Sequence, residues 1–139
     1  MILDEIAKLL TDNTTTLVEA TNLFKGFEHN RVQDTATFLH ESQGTPPVRV
    51  FASSTPAYEM PSIQIVDRSS DYQTGRASSE LNYKIMQGQA NVTLKPSTGA
   101  TGTLYLTIDP IQSPFYLGLD KNDRHTFACN YRILKSLST

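Results

Sequence analysis

The chain has 139 residues, 19% of them charged and 38% hydrophobic, with 7 glycines and 7 prolines; this suffices for one domain with a single core and excludes disordered, collagenous and coiled-coil classes. Its one cysteine, Cys129, excludes an intrachain disulfide and a cysteine-based zinc cage. Twelve Lys and Arg against 14 Asp and Glu give a formal charge of −2, which argues against a surface built to grip nucleic acid.

Met1 to Leu10 predicts a short helix, because Ile2, Leu3, Ile6, Leu9 and Leu10 recur at three- and four-residue spacing. Its Asp4, Glu5 and Lys8 stand where a secretory leader would be apolar, so export is not expected, and no later run reaches the ~18 apolar residues of a membrane span. The polar run Thr11 to Thr16 ends the helix. Leu17 to Phe24 and Thr35 to His40 predict strands by their β-branched and aromatic content, with a loop over Lys25 to Asp34 between them. Gly44-Thr45-Pro46-Pro47 predicts a break, leaving Val48 to Phe51 as an edge strand at best. Ala52 to Pro61 reads as a second long connection. Ser62 to Arg68 returns to period two, with Ile63 and Ile65 on one face and Gln64 and Val66 on the other, as in a central strand.

Ser70 and Gln73 fit a capping box, and Ala77, Leu81 and Ile85 repeat every fourth residue, predicting a helix over Asp71 to Gln87 with a left-handed stop at Gly88. Val92 and Leu94, then Leu104, Leu106 and Ile108, alternate about the turn-rich Pro96 to Gly102 and predict a hairpin. After the turn Asp120 to Asp123, a last strand from His125 to Leu134 sets Phe127, Cys129, Tyr131 and Ile133 on one face. The whole predicts an α+β domain, a single unit over 1–139, with two helices on a largely antiparallel or mixed sheet. Its core is expected from Leu81, Ile85, Ile63, Ile65, Leu106, Phe127, Tyr131 and Ile133.

Chemistry-bearing patterns are sparse. His125 and Cys129 lie four residues apart on a strand, roughly 13 Å between Cα atoms, too far to share a zinc ion. The chain contains no nucleophile elbow and no phosphate-binding glycine loop. Cys129 is expected to be buried and unreactive, and the acid pairs Asp4 with Glu5 and Asp67 with Asp71 read as solvated charges. No catalytic, cofactor-binding or metal site is assigned. Tyr58, Glu59, Met60, Arg68, Phe115, Tyr116, Arg124 and Arg132 do stand out, because aromatics, Met and Arg in loops and at strand ends suit protein interfaces. A satellite core under long loops accounts for the same residues.

Read from Ile111, the segment Gln112-Ser113-Pro114-Phe115-Tyr116-Leu117-Gly118-Leu119-Asp120, with Arg124 and Phe127-Ala128-Cys129-Asn130-Tyr131-Arg132, resembles the C-terminal signature of the phage minor capsid or tail terminator family. Leu23-Phe24-Lys25-Gly26-Phe27 after an amphipathic helix, and Met60-Pro61 through Ile63-Gln64-Ile65 to Arg68 and Asp71-Tyr72, resemble its other blocks. The resemblance implies a structural virion protein at the head-tail junction, assembled in the host cytoplasm and binding no membrane. It implies a homo-hexameric ring that caps the tail tube protein and meets a head completion or connector protein, while genomic DNA passes through without sequence-specific binding. Residues 1–70 hold nine acids and five bases (−4) and residues 71–139 five acids and seven bases (+2), a polarity that suits head-to-tail contacts. The alternatives are a portal-side connector or minor capsid protein, a ligand-binding module, or a small enzyme using Asp67, Asp71, His125 and Arg124.

Overall fold

A computed structural model describes residues 2–14, 16–26, 34–49, 56–96 and 102–136, with backbone alone at 45, 47–49, 56 and 57. The elements are α1 (Ile2–Asn13), β1 (Leu23–Lys25), β2 (Ala36–Arg49), β3 (Pro56–Ser69), α2 (Tyr72–Gln87), β4 (Ala90–Leu94), β5 (Thr103–Pro110), β6 (Phe115–Leu119) and β7 (His125–Ser136). The strands form one mixed sheet in the order β1-β2-β3-β7-β5-β4, with β6 paired to β7 off that path. β1 and β2 run parallel and the remaining pairs antiparallel. This is the expected α+β architecture.

Both helices cover one face of the sheet. Ile2, Ile6, Leu9 and Leu10 of α1 and Met86 of α2 share a buried cluster with Leu39, Ile63, Ile65, Tyr105, Cys129, Tyr131 and Ile133, so apolar burial fixes the helical layer. The other face carries a smaller cluster of Phe24, Phe38, Val66 and Ala128. Inside the large cluster the Tyr105 hydroxyl donates to Glu5 at 3.0 Å, which gives the buried carboxylate of α1 a partner.

Five expectations are corrected. Leu17 to Phe24 is mostly a turn: Asn22 accepts from the Val18 N–H and donates to the Thr16 carbonyl, Ala20 has φ 64, and only Leu23–Lys25 enters the sheet. The prolines at 46 and 47 do not end β2, because register shifts from Ser42 to Arg49 absorb them and β1 pairs only as far as Leu39. Residues 56–61, expected in a connection, open β3 instead, where Tyr58 pairs with both Val48 and Ser136. The cap of α2 is Asp71, which accepts from the Thr74 N–H at 3.0 Å and hydroxyl at 2.7 Å, and Gly88 has φ −85, so no left-handed stop forms. Within the expected hairpin, β4 and β5 pair antiparallel, while its tip at 97–101, the loop at 27–33 and Phe51 lie outside the described residues.

The face that α2 buries is also shifted. Gly75, Ser79, Asn82 and Met86 point inward, while Leu81 is 43% exposed, Ala77 is exposed, and Ile85 and Leu106 are half-buried. The sheet beneath supplies the bulk: a Cβ at Gly75 would stand 2.9 Å from the Phe127 ring. Glycine there lets helix backbone approach an aromatic ring that a larger residue would push away. Phe127, Tyr131, Ile133, Ile63 and Ile65 are buried as expected.

Phe127→Ala would leave a cavity under α2, with an expected cost of about 3–5 kcal/mol. In a domain of this size that lowers Tm by roughly 10 °C or more, measurable by circular dichroism. Gly75→Ala should destabilise as well, against the usual gain from Ala in a helix.

Candidate interaction surface

The strand β6 leaves large apolar side chains exposed at an edge of the sheet. It pairs with β7 through Phe115 with Ala128, Tyr116 with Phe127, Gly118 with Thr126 and Leu119 with His125. A register shift falls between Tyr116 and Gly118, where Gly118 adopts φ 107 and the Thr126 hydroxyl donates to its carbonyl at 3.0 Å. Among the described residues its other edge pairs with no strand. Yet Phe115, Tyr116, Leu117 and Leu119 are 37 to 56% exposed, with Ile111 and Tyr72 exposed beside them. Large apolar side chains on an edge strand free of charge make a surface that favours association.

On the α2 face of the sheet, Tyr116 of this strand packs against the helix, whereas Phe115, opposite Ala128, lies on the other face. The Tyr72 ring, at the start of α2, lies 5.3 Å from Phe127, 5.5 Å from Tyr116 and 5.6 Å from His125, in edge-on geometry. The Tyr116 hydroxyl shares a 2.8 Å hydrogen bond with Nδ1 of His125. Arg76, one turn along α2, donates from Nη1 to the Pro114 carbonyl at 3.3 Å and pairs with Glu80 at 3.1 Å. Each aromatic pair contributes roughly 0.5–1.5 kcal/mol beyond burial, which ties the Tyr116 side of β6 to α2.

The eight interface-type residues do not form one patch. Phe115 and Tyr116 belong to β6, and Arg132 is exposed on β7 opposite Asp109. Tyr58, Glu59 and Met60 are half-buried in β3, where Glu59 pairs with the buried Lys135 at 2.8 Å. Arg68 is buried with its guanidinium 4.7 Å from the Phe38 ring centre, and its Nε donates to the Asp34 carbonyl. Arg124 is buried on Asp120 at 2.9 Å; burial opposes ionisation of that carboxyl, but the Arg124 and Asn122 N–H groups and the guanidinium together hold it below the usual range. Sequence reasoning missed Tyr72, Ile111, Leu117 and Leu119. The unbroken apolar run from Phe115 to Leu119 has no period-two alternation, so it gave no strand signal.

The four residues of the enzyme alternative have separate structural roles. Asp71 caps α2, and bonds from the Thr74 hydroxyl and N–H hold its carboxyl low. Arg124 secures the turn before β7, and His125 meets the Tyr72 ring edge-on. Asp67 is 2% exposed and accepts from the Thr37 hydroxyl at 2.6 Å and the Asn82 amide at 2.8 Å. It is not the solvated charge expected from its polar sequence neighbours: burial pushes its pKa up to about 6, partly offset by those two bonds. Burial likewise pushes up the Cys129 thiol, which donates to the Gln112 carbonyl. Among the described residues no three His, Cys, Asp or Glu stand together as metal ligands, and no helix is long and apolar enough to cross a membrane.

No family model matches the chain, and no curated protein matches it. Among solved structures, a chain from the virion of a native gene transfer agent particle is similar over 95% of this chain and 84% of its own length, with a TM-score of 0.54 at 12% identity. At that identity the likeness is one of fold.

The raised pKa of Asp67 fixes a sign. A carboxyl that ionises near 6 when folded and near 3.8 when unfolded adds stability in full below about pH 4, and that contribution is lost as pH rises through 6. The loss is about 3 kcal/mol. Asp67→Asn, which cannot ionise, should flatten the dependence of Tm on pH between 4 and 8, checked by melts across that range.

Proposed function

We propose that the chain is a structural virion protein, a tail terminator that forms a ring on a phage-like tail, with β6 and the Tyr72 cluster as a contact between neighbouring subunits. The observation that carries the reading is the fold shared along 95% of the chain with a virion component. The exposed apolar strand supports it, since a particle component needs a surface that finds its partner only on assembly. In this reading the protein acts by shape and contact and catalyses no reaction. Its partners are its own copies, a tail tube protein and a head completion or connector protein, and it sits at the head-tail junction with DNA passing through the ring.

A closed ring needs two different patches that meet head to tail. β6 supplies one, and the opposite formal charges of the two halves of the chain favour a single orientation. A strand of five residues offers far less than the ~800 Å² per partner of a stable pairwise interface. Free protein is therefore expected to be monomeric or weakly associated, and rings are expected on the tube.

Purified protein mixed with assembled tail tubes should form terminal rings visible by negative-stain electron microscopy, and bare tube ends would overturn the reading. Pull-downs with tube protein and with head completion protein separate a tail-side from a portal-side position. Leu117→Asp changes an exposed side chain, so its Tm should move by no more than a few degrees, while ring formation on tubes is lost. Normal rings from that variant would remove β6 from the contact.

A further inference from the structure

We propose that Asp67 is a proton-operated latch on α2: the neutral carboxyl seats the helix on the sheet, the ionised one loosens it, and the helix passes that change to the β6 surface. Burial carries the proposal: at 2% exposure it disfavours the charged form more than the two donors on Oδ1 favour it. Asp67 stands in the centre of the sheet and joins three elements, with Thr37 of β2 and Asn82 of α2 both bonded to its Oδ1. The inner face of α2 is small and polar over Gly75, Ser79 and Asn82, so this bond supplies holding strength that an apolar stripe would give elsewhere. The same helix then reaches β6 twice, through Tyr72 against Tyr116 and through Arg76 to the Pro114 carbonyl.

The groups around Asp67 include no cation to compensate its charge, among the described residues. From β2 it faces Thr37, and from α2 Asn82, with Tyr83 beside Tyr131. From β7 it faces Cys129 and Tyr131, both held neutral at physiological pH by burial. On its own strand, Arg68 projects to the opposite face and stacks on Phe38. Ionisation therefore draws water toward Asp67, and the path to water opens where α2 leaves the sheet.

The test is amide hydrogen exchange on the whole chain at pH 5 and pH 7.5, corrected for intrinsic rates. It does not depend on what β6 binds. In the wild type, protection over 72–87 and 115–119 should fall about tenfold between the two values, with the centres of β3 and β7 changing less. In Asp67→Asn the fall should vanish; Asp67→Leu, which fills the site without a proton to lose, serves if the amide variant folds poorly. His125→Gln, the control for the imidazole edge-on to Tyr72, should keep the fall. The latch is overturned if the neutral variants keep the fall, if His125→Gln abolishes it, or if β3 and β7 lose protection in step with α2. Loss of protection in α2 with β6 unchanged overturns the link to the surface.

Discussion

The strand β7 is hydrogen-bonded along both edges, by β3 on one side and by β6 and then β5 on the other, and that double pairing governs the rest of the molecule. A strand with no free edge and helices above it has to be apolar on its covered face, which Phe127, Cys129, Tyr131 and Ile133 satisfy. It also has to place β5 and β6 in tandem. β5 continues into the β4 hairpin, whereas β6 has room for five residues and ends at the Asp120 turn. The exposed strand is thus a consequence of how the edge of β7 is shared.

The seat of α2 is settled by the same strand. Phe127 fills the space that an inward side chain at position 75 would occupy, so the helix approaches through glycine, serine and asparagine. Close approach exchanges apolar area for shape and for one buried hydrogen-bonded carboxyl. A buried acid without a cation is costly when ionised, yet Thr37 and Asn82 both donate to it, and removal of either donor would leave Asp67 worse off than an apolar residue. Rigid placement of Tyr72 and Arg76 over β6 follows from that seat.

Much of the architecture was legible in the sequence where apolar residues recur at a regular spacing. α1, the alternation through Ile63 and Ile65 and the face of β7 carry a simple period, whereas in β5 a register shift between Tyr105 and Thr107 buries Tyr105 and Ile108 and leaves Leu104 exposed. What failed did so for physical reasons. Ala77, Leu81 and Ile85 make the better apolar stripe of α2, but Phe127 and Asp67, distant in sequence, select the opposite side of the helix. Proline at 46 and 47 breaks a regular ladder, not one already shifted by bulges. Arg68 and Arg124 read as interface residues, since a sequence does not reveal that Phe38 and Asp120 wait for them inside the same chain. Phe115 and Tyr116 were found for their residue types, while Leu117 and Leu119 needed the strand itself to show that they are exposed.

The energetics of β6 bear on how such a surface can be carried safely. An open apolar edge invites pairing with any extended chain, and proteins usually blunt it with lysine, proline or a bulge. Here Pro114 precedes the strand, and Gly118 at φ 107 sits at its register shift, so a straight incoming strand does not match its whole length. Binding through so few is weak for one pair, because association costs several kcal/mol of lost freedom before any contact adds to it. In a closed ring each subunit is held from two sides, and the second contact forms at high effective concentration. On the ring reading proposed above, a short, bent, apolar edge would discriminate by number of contacts: it would give little to a stray partner and much to a subunit whose neighbours are already in place.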